Sequence, residues 1–599
     1  MIYNPLDINY KSIVGAVPNN TKIKFRVNNI FDSVIFVVQK EFEQVCKYQM
    51  TRIGDYFELE LSFSSGLYFY YFELDNGKYI SLSNNYDGEI SSEIVKFQLS
   101  VYDSKFETPD WIKGGVIYQI FPDRFNRSNR EIPKINGRVY HNNVSDVPIY
   151  KPDEKGEVLN NDFFCGDIQG IISKLDYLKE LNVSVIYLNP IFEAYSNHRY
   201  DTANYMKIDS LLGTEEDFKE LVNKAQENGI KIVLDGVFNH TGSDSIYFNK
   251  KGTYDVIGAY QSEKSPYVSW FDFISYPDNY NSWWGIKTLP AVNKSEDSPF
   301  IDYICGEDGV LEHYTKLGIG GWRLDVVDEL PAHFVKRIRK AVKRVNKEAV
   351  VIGEVWEDAS NKIAYGKRRE YFLGGELDAA MNYPLKNAIV AFVKNGDSKA
   401  LSNTVKQLTD HYPKKVLNCL MNLLSTHDTF RLLSNLSSVS VDGYSKEQME
   451  NLKISKNEWD KVIFRLKIAT LLQFTLPGVP SVYYGDEIGM QGYKDPLNRM
   501  FFDWDNINYE ILSWYKKISQ FRSERKLFEN GNYREVYANN GTLIYKIENE
   551  QDEIMVLINL SKNFVKLEIV GRVKEYFSNE IIEKEYVLKP NTFAIFLVE

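Results

Sequence analysis

The stretch GIGGWRLDVVDE (318–329) decides the fold. Glycines lead into an apolar run, and the run carries Arg323, Asp325 and Asp328 toward its end. A carboxylate in so apolar a setting costs several kcal/mol unless it is paired. Arg323 stands two residues before Asp325 and so points to the same face of a strand. Taken alone, the segment fits a buried strand stabilised by an Arg–Asp pair.

Segments of the same kind lie on both sides. VIYQIFPDRF (116–125), VSVIYLNPIF (183–192) and IKIVLDGVF (230–238) precede it. AVVIGEVWE (349–357), ELDAAMNY (376–383), VLNCLMNLLSTHD (416–428) and PSVYYGDEIG (480–489) follow. Helical spacing fills the gaps between them. IISKLDYLKELN (171–182) has apolar residues at 171, 172, 175, 178 and 181. DFKELVNKAQENG (217–229) is announced by Thr214 as N-cap, with Asp217 three residues on, and stops at Gly229. Eight strands alternating with helices predict an α/β fold, a (β/α)8 TIM barrel. One connection, roughly 239–317, is too long for a simple loop. It is rich in Tyr, Trp, Asn and Ser, including YNSWWG (280–285), and predicts an inserted domain.

The ends of the chain read differently. TKIKFRV (21–27), SVIFVVQ (33–39), YFELELSF (56–63) and LYFYYFEL (67–74) are short β-type runs separated by turns, which predicts a sandwich. ILSWYKKISQFRSER (511–525) is helical. TLIYKI (542–547), EIMVLINL (553–560) and TFAIFLVE (592–599) predict a second sandwich. The expected organisation is therefore an N-terminal β-sandwich (1–108), a barrel (109–510) with an inserted domain (239–300), and a C-terminal β-sandwich preceded by a helix (511–599).

Bulk properties exclude several classes. The 599 residues carry 71 − 82 = −11 net charge, with the charges interspersed, which argues against a phosphate-tracking nucleic-acid binder. No apolar run reaches the roughly eighteen residues of a transmembrane helix. The N-terminal MIYNPLDINYKSIVGA lacks the basic and apolar regions of a signal peptide. Cys46, Cys165, Cys305 and Cys419 lie far apart, without metal-ligand spacing, and read as free thiols. A cytoplasmic enzyme is the expectation. The 41 Tyr, 35 Phe and 9 Trp are mostly core, but suit a protein that stacks sugars as well.

Barrel active sites lie at the C-terminal ends of strands. There the sequence puts Asp235, Asn239 and His240; Arg323, Asp325 and Asp328; Glu354 and Trp356; His427 and Asp428. Glu354 has no basic neighbour two residues away, and an apolar setting favours the protonated carboxyl that a general acid needs. His427–Asp428 could equally be a helix N-cap pair. It is the joint occurrence of carboxylates at three strand ends that points to chemistry. Two carboxyls flanking a bond are what glycoside hydrolysis requires, about 5–5.5 Å apart when configuration is retained.

The ordered set DGVFNH (235–240), GWRLDVVDE (321–329), GEVW (353–356) and LLSTHD (423–428) resembles the signature regions of the α-amylase family, glycoside hydrolase family 13. LPAVN (289–293), SNHRYDT (196–202), QIFPDRF and YYGDEIG resemble further segments. The aromatic insertion and the β-rich N-terminal module resemble the branch of neopullulanases, cyclomaltodextrinases and pullulan-hydrolysing amylases, where that module is of starch-binding type. The resemblance implies Asp325 as nucleophile, Glu354 as acid/base and Asp428 as transition-state stabiliser. It implies that Arg323 holds the nucleophile ionised and that His240 and His427 contact sugar hydroxyls. Tyr200 would stack beneath the sugar, with His198 nearby. Asp495 and Arg499, in KDPLNR (494–499), would contact the next glucose, and Trp356 would border the leaving group. Asp235 is expected to be structural.

The resemblance further implies an α-glucan substrate, a homodimer, no cofactor for the chemistry, and a structural calcium through Asn129, Gly166 and Asp167. Arg127, in NRSN (126–129), stands where an acidic ligand is usual. VVDE (326–329) and LPAVN depart from the commoner VANE and MPKLN, on the side that selects the acceptor. An endo-acting α-amylase with transglycosylation or some α-1,6 activity and a non-catalytic glucan-binding protein are the competing readings.

Overall fold

The computed structural model describes residues 1–598. Eight strands form its centre: β1 (Ile117–Ile120), β2 (Val185–Leu188), β3 (Lys231–Gly236), β4 (Gly321–Leu324), β5 (Val350–Gly353), β6 (Ala379–Ala380), β7 (Met421–Leu423) and β8 (Val479–Tyr483). All pair in parallel, in the order β6-β5-β4-β3-β2-β1-β8-β7. A parallel bridge between Met381 and Met421 joins the two ends, with Asn382 N–H donating to Met421 O at 2.8 Å. The ring is closed, and the expected (β/α)8 barrel is the fold.

Strand periodicity divides the side chains into two layers. Ile117, Val185, Val233, Val350, Ile352, Met421 and Val479 fill the interior. Tyr118, Ile120, Ile186, Leu188, Ile232, Leu234, Trp322 and Leu324 face outward into the helices. The helix at Glu215–Glu227 has Thr214 as its N-cap, in a reciprocal capping box with Asp217.

Two sequence expectations need correction. The run 171–182 is not one helix but two short ones, Ile168–Ile172 and Leu175–Glu180. Ser173 Oγ donates to Gly170 O at 2.7 Å, a side-chain bond that competes with continued helix. The run 416–428 is mostly not strand: a helical turn, Lys414–Leu417, precedes β7. The chain also makes a long excursion after β1, over 121–167, which has no periodic pattern and so left no signal in the sequence. The insertion after β3 packs around Tyr247, Phe248, Trp270, Phe271 and Tyr280. It returns to the barrel mouth through a bridge from His240 to Ala291.

In the N-terminal module, strands Ile23–Asn28, Val34–Lys40, Tyr56–Leu61 and Gly66–Leu74 build two sheets around Phe25, Phe36, Tyr70 and Phe72. The C-terminal module follows the helix Tyr509–Ser523, with its last strand at Thr592–Val598; Glu599, the end of TFAIFLVE, lies outside the described residues. Arg522 fastens that helix to the base of the barrel. Its guanidinium donates to the carbonyls of Gly114, Gly115, Phe474 and Gly478. Among the described residues no helix is long and apolar enough to cross a membrane.

The N-terminal module is held to the barrel by Lys11, whose Nζ lies 2.7 Å from Asp410 Oδ1 on the helix Ser398–His411. Both side chains are buried. Removing one partner leaves a buried charge uncompensated. Asp410→Ala is therefore expected to destabilise the protein by about 3–5 kcal/mol. A thermal or denaturant melt checks this, and an unchanged midpoint would show the pair to be dispensable.

Candidate active site

The site is built on strand register. Asp235 of β3 and Arg323 of β4 are direct partners in adjacent parallel strands, so both point into the mouth side by side. Arg323 Nη1 donates to Asp235 Oδ1 at 2.8 Å and to Asp325 Oδ1 at 2.9 Å. Its Nη2 lies 2.8 Å from Glu354 Oε2, off the N–H direction, as an ion pair rather than a directed hydrogen bond. One buried guanidinium thus gathers carboxylates from three strand ends. Asp325 and Glu354 are each fixed one residue past their strands. Asp325 N–H donates to Gly236 O and Glu354 N–H to Leu324 O, both at 3.1 Å.

Glu354 is not in the apolar setting its sequence neighbours suggest. Besides Arg323, it accepts from Val326 N at 2.8 Å and from Trp356 Nε1 at 3.0 Å. Arg323 and Val326 come from the end of the neighbouring strand and Trp356 from the same loop, so none of them is a basic neighbour two residues away. Val326 has φ +38, a left-handed backbone that a β-branched residue rarely adopts. The turn it makes directs its N–H at Glu354, so the strain is retained at the site.

Asp235 is a hub, as expected. It accepts from Arg323, from Tyr187 Oη at 2.6 Å and from Tyr200 Oη at 2.8 Å. His427 receives Gln119 Nε2 on Nδ1 at 2.9 Å. Its Nε2 meets Tyr200 Oη at 2.6 Å and Asp428 Oδ2 at 3.1 Å. The Tyr200 and His427 rings stack with centroids 5.3 Å apart. His240 donates from Nε2 to Tyr200 O at 3.1 Å and stacks on Trp283. Arg499 completes the far side: Nη1 is 2.8 Å from Asp495 Oδ1 and Nη2 is 3.3 Å from Asp428 Oδ1. His198 Nδ1 is held by Ser196 Oγ and Tyr200 N. Trp356 stacks on Tyr383 at 3.9 Å.

All eleven residues predicted as catalytic or substrate-binding converge here. Apart from Arg323, which lies beneath its floor, they line one cleft of about 1080 Å³. Sequence reading missed Gln119, Tyr187, Asn189 and Val326, together with the Trp284 and Tyr365 side chains on the rim. Gln119 and Tyr187 had a usable signal, since both are strand residues that point inward one turn of the pleat below the mouth. Burial shapes the electrostatics. It pushes the Asp325 carboxyl well above the usual aspartate range, against the pull of Arg323 and with help from Glu354, Asp235 and Asp428. It likewise raises Asp428, opposed by Arg499. Burial lowers His427 well below the ordinary imidazole range, and lowers His240 to about 4.

The residues suggested for calcium do not fit a cation. The Asp167 carboxylate is consumed as a helix N-cap, accepting Gly170 N–H at 2.6 Å and Ser128 O–H at 2.7 Å, with Arg130 Nε 3.5 Å away. Gly166 is demanded by packing, since a Cβ there would lie 2.3 Å from Pro122 O. Asn129 is exposed. The guanidinium of Arg127 donates to the carbonyls of Phe164 and His141, placing a positive charge among the oxygens a metal would need.

Paired carboxyls at the C-terminal mouth of an α/β barrel are the arrangement that hydrolysis of a glycosidic bond uses. Residues 119–542 match the family described as alpha amylase, catalytic domain, and the chain belongs to the α-amylase family. It is 35% identical to the amylopullulanase of Thermoanaerobacter thermohydrosulfuricus, over 88% of this chain but 39% of that protein. The chain thus spans less than half the length of the amylopullulanases it matches. It is 33% identical to a cyclomaltodextrinase of Thermoanaerobacter pseudethanolicus, covering 89% of this chain and 85% of that one. Among solved structures, the type III pullulan hydrolase from Thermococcus kodakarensis superposes with a TM-score of 0.70 at 25% identity, over the full length of both chains.

The Arg127 arrangement has a direct test. Exhaustive treatment with a chelator is expected to leave the thermal midpoint unchanged. A midpoint that falls with chelator and returns with calcium would show a cation site after all.

Proposed function

We propose that the protein is a retaining glycoside hydrolase cleaving α-1,4-glucosidic bonds in maltodextrins, cyclodextrins, pullulan or starch. The observation that carries this is the Arg323 guanidinium, bridging Asp325 and Glu354 at the floor of a cleft rimmed by aromatic side chains. One guanidinium holding both carboxyls fits the short separation, about 5–5.5 Å, that a covalent intermediate needs. Asp325 attacks the anomeric carbon while Glu354 gives its proton to the leaving oxygen. Glu354 then takes a proton from the water that releases the sugar. Asp428, which lines the same cleft, faces the positive charge that develops at the sugar ring.

His427, Tyr200 and His240 hold the glucose at the cleavage position, with His198 beside it. Asp495 and Arg499 hold the next one outward, and Trp356 borders the leaving group. No cofactor enters these steps. Four unpaired cysteines suit a reducing compartment such as the cytoplasm. The N-terminal module offers an edge for a homodimer: strands Val45–Gln49 and Thr51–Ile53 are exposed along their length. Its light-scattering mass tests that association.

Product analysis on cyclodextrin, pullulan and soluble starch tests the reaction; no cleavage of any of them overturns it. Asp325→Asn is expected to lose about 10⁴-fold or more in kcat, as removal of a nucleophile does. Asp325 must be ionised to attack and its carboxyl is raised, so activity is lost as pH falls through that raised value. The acidic limb of kcat/KM should thus lie above the roughly 3.9 of an ordinary aspartate. A limb at or below that value contradicts the assigned role.

A further inference from the structure

Two aromatic side chains stand on the rim of the cleft with no structural reason to be there. Trp284 is 78% exposed and Tyr365 is 69% exposed. They come from separate loops: Trp284 from the insertion after β3, and Tyr365 from the hairpin that pairs Ile363–Ala364 with Lys367–Arg368 after β5. Each has a left-handed backbone, φ +51 and φ +52, a conformation costly for a large residue. Both rings are turned toward one carboxylate. Trp284 Nε1 donates to Glu329 Oε1 at 3.3 Å. Glu329 also acts on the Tyr365 phenol and pushes it up to about 12.

The two rings continue an aromatic path that starts at the reaction centre. His240 stacks on Trp283 with centroids 5.1 Å apart, and Trp283 stacks on Trp284 at 5.2 Å. Glu329 follows the nucleophile by four residues in sequence. Buried aromatics are explained by packing, but strained, exposed ones clamped in place call for a ligand.

The geometry points to a sugar-stacking platform formed by Trp284 and Tyr365 and oriented by Glu329. It binds a glucose unit beyond the one adjoining the cleaved bond on the leaving-group side, and so sets a preference for longer chains. This rests on the glucan-hydrolase reading above. Aromatic faces match the C–H faces of a pyranose, and fixing them beforehand removes ordering cost from binding.

The test compares kcat/KM on maltoheptaose and maltotriose for the wild type, Trp284→Ala, Tyr365→Ala and Tyr365→Phe. The ratio of the two values is expected to fall about threefold to tenfold in each alanine variant, through KM rather than kcat. Tyr365→Phe keeps the ring and should restore most of the ratio. A ratio that does not move, or an equal loss on both sugars, overturns the platform. Maltoheptaose binding is measured alongside by tryptophan fluorescence, without turnover. A wild type that binds but cleaves neither sugar, with binding weakened in the alanine variants, keeps the platform and removes the hydrolase reading. Equal binding in wild type and variants removes the platform.

Discussion

Everything at the mouth of this barrel depends on Arg323. Its guanidinium is buried, and so are the three carboxylates it touches. A buried charge is tolerated only when paired with good geometry. Arg323 meets that condition for Asp235 through strand register, for Asp325 through position along one strand, and for Glu354 across the next strand. Without it, like charges would crowd a low-dielectric cavity, and at least one carboxyl would stay protonated. The guanidinium therefore makes possible both the fold of the site and its charge state.

Much of the fold was legible because the barrel repeats one physical problem eight times. Each strand is buried on both faces, so each reads as an apolar run; each ends at a polar mouth, so the runs stop in charged or amide residues. β6 is only two residues long, and its closure with β7 rests on a bridge at Met381 and Met421. The run ELDAAMNY shows it only because seven neighbours make an eighth necessary. What the sequence hid was aperiodic. The 121–167 excursion is held by side-chain bonds such as those of Asp123 to Phe164 N and Cys165 N, which have no spacing to detect. The split of 171–182 was invisible for a related reason: the apolar spacing continues across it, and only Ser173 breaks the helix.

The site was legible where function coincides with strand ends, and obscure where support comes from below or beside. Tyr187 and Gln119 stand at inward positions of their strands, but only register shows that they reach Asp235 and His427. The setting of Glu354 was misjudged because its partner, Arg323, is distant in sequence and adjacent in space. The cation loop was misjudged in the opposite direction. Arg127 looked like a missing ligand, yet its donors satisfy carbonyl oxygens that would otherwise want a metal. Arginine and a divalent ion meet the same need, for positive charge among backbone oxygens, but the guanidinium is covalently part of the chain.

The two histidines show how the charge balance suits the proposed reaction. His427 is near Arg499 and Arg323, and burial adds to their effect, so its imidazole is neutral. Gln119 donates to Nδ1, which leaves the Nε2 proton for Tyr200 and Asp428. Asn239 plays the same part at His240, donating to Nδ1 while Nε2 donates to Tyr200 O. Amide side chains thus fix both tautomers. Both rings line the cleft without adding positive charge. Five carboxyl groups, Asp235, Asp325, Glu354, Asp428 and Asp495, then face Arg323 and Arg499, and even with one of them protonated an excess of negative charge remains where an oxocarbenium-like ring would form. A protonated histidine at either position would cancel part of that excess. Burying both imidazoles is therefore a condition for stabilising a cationic transition state, beyond its role in packing.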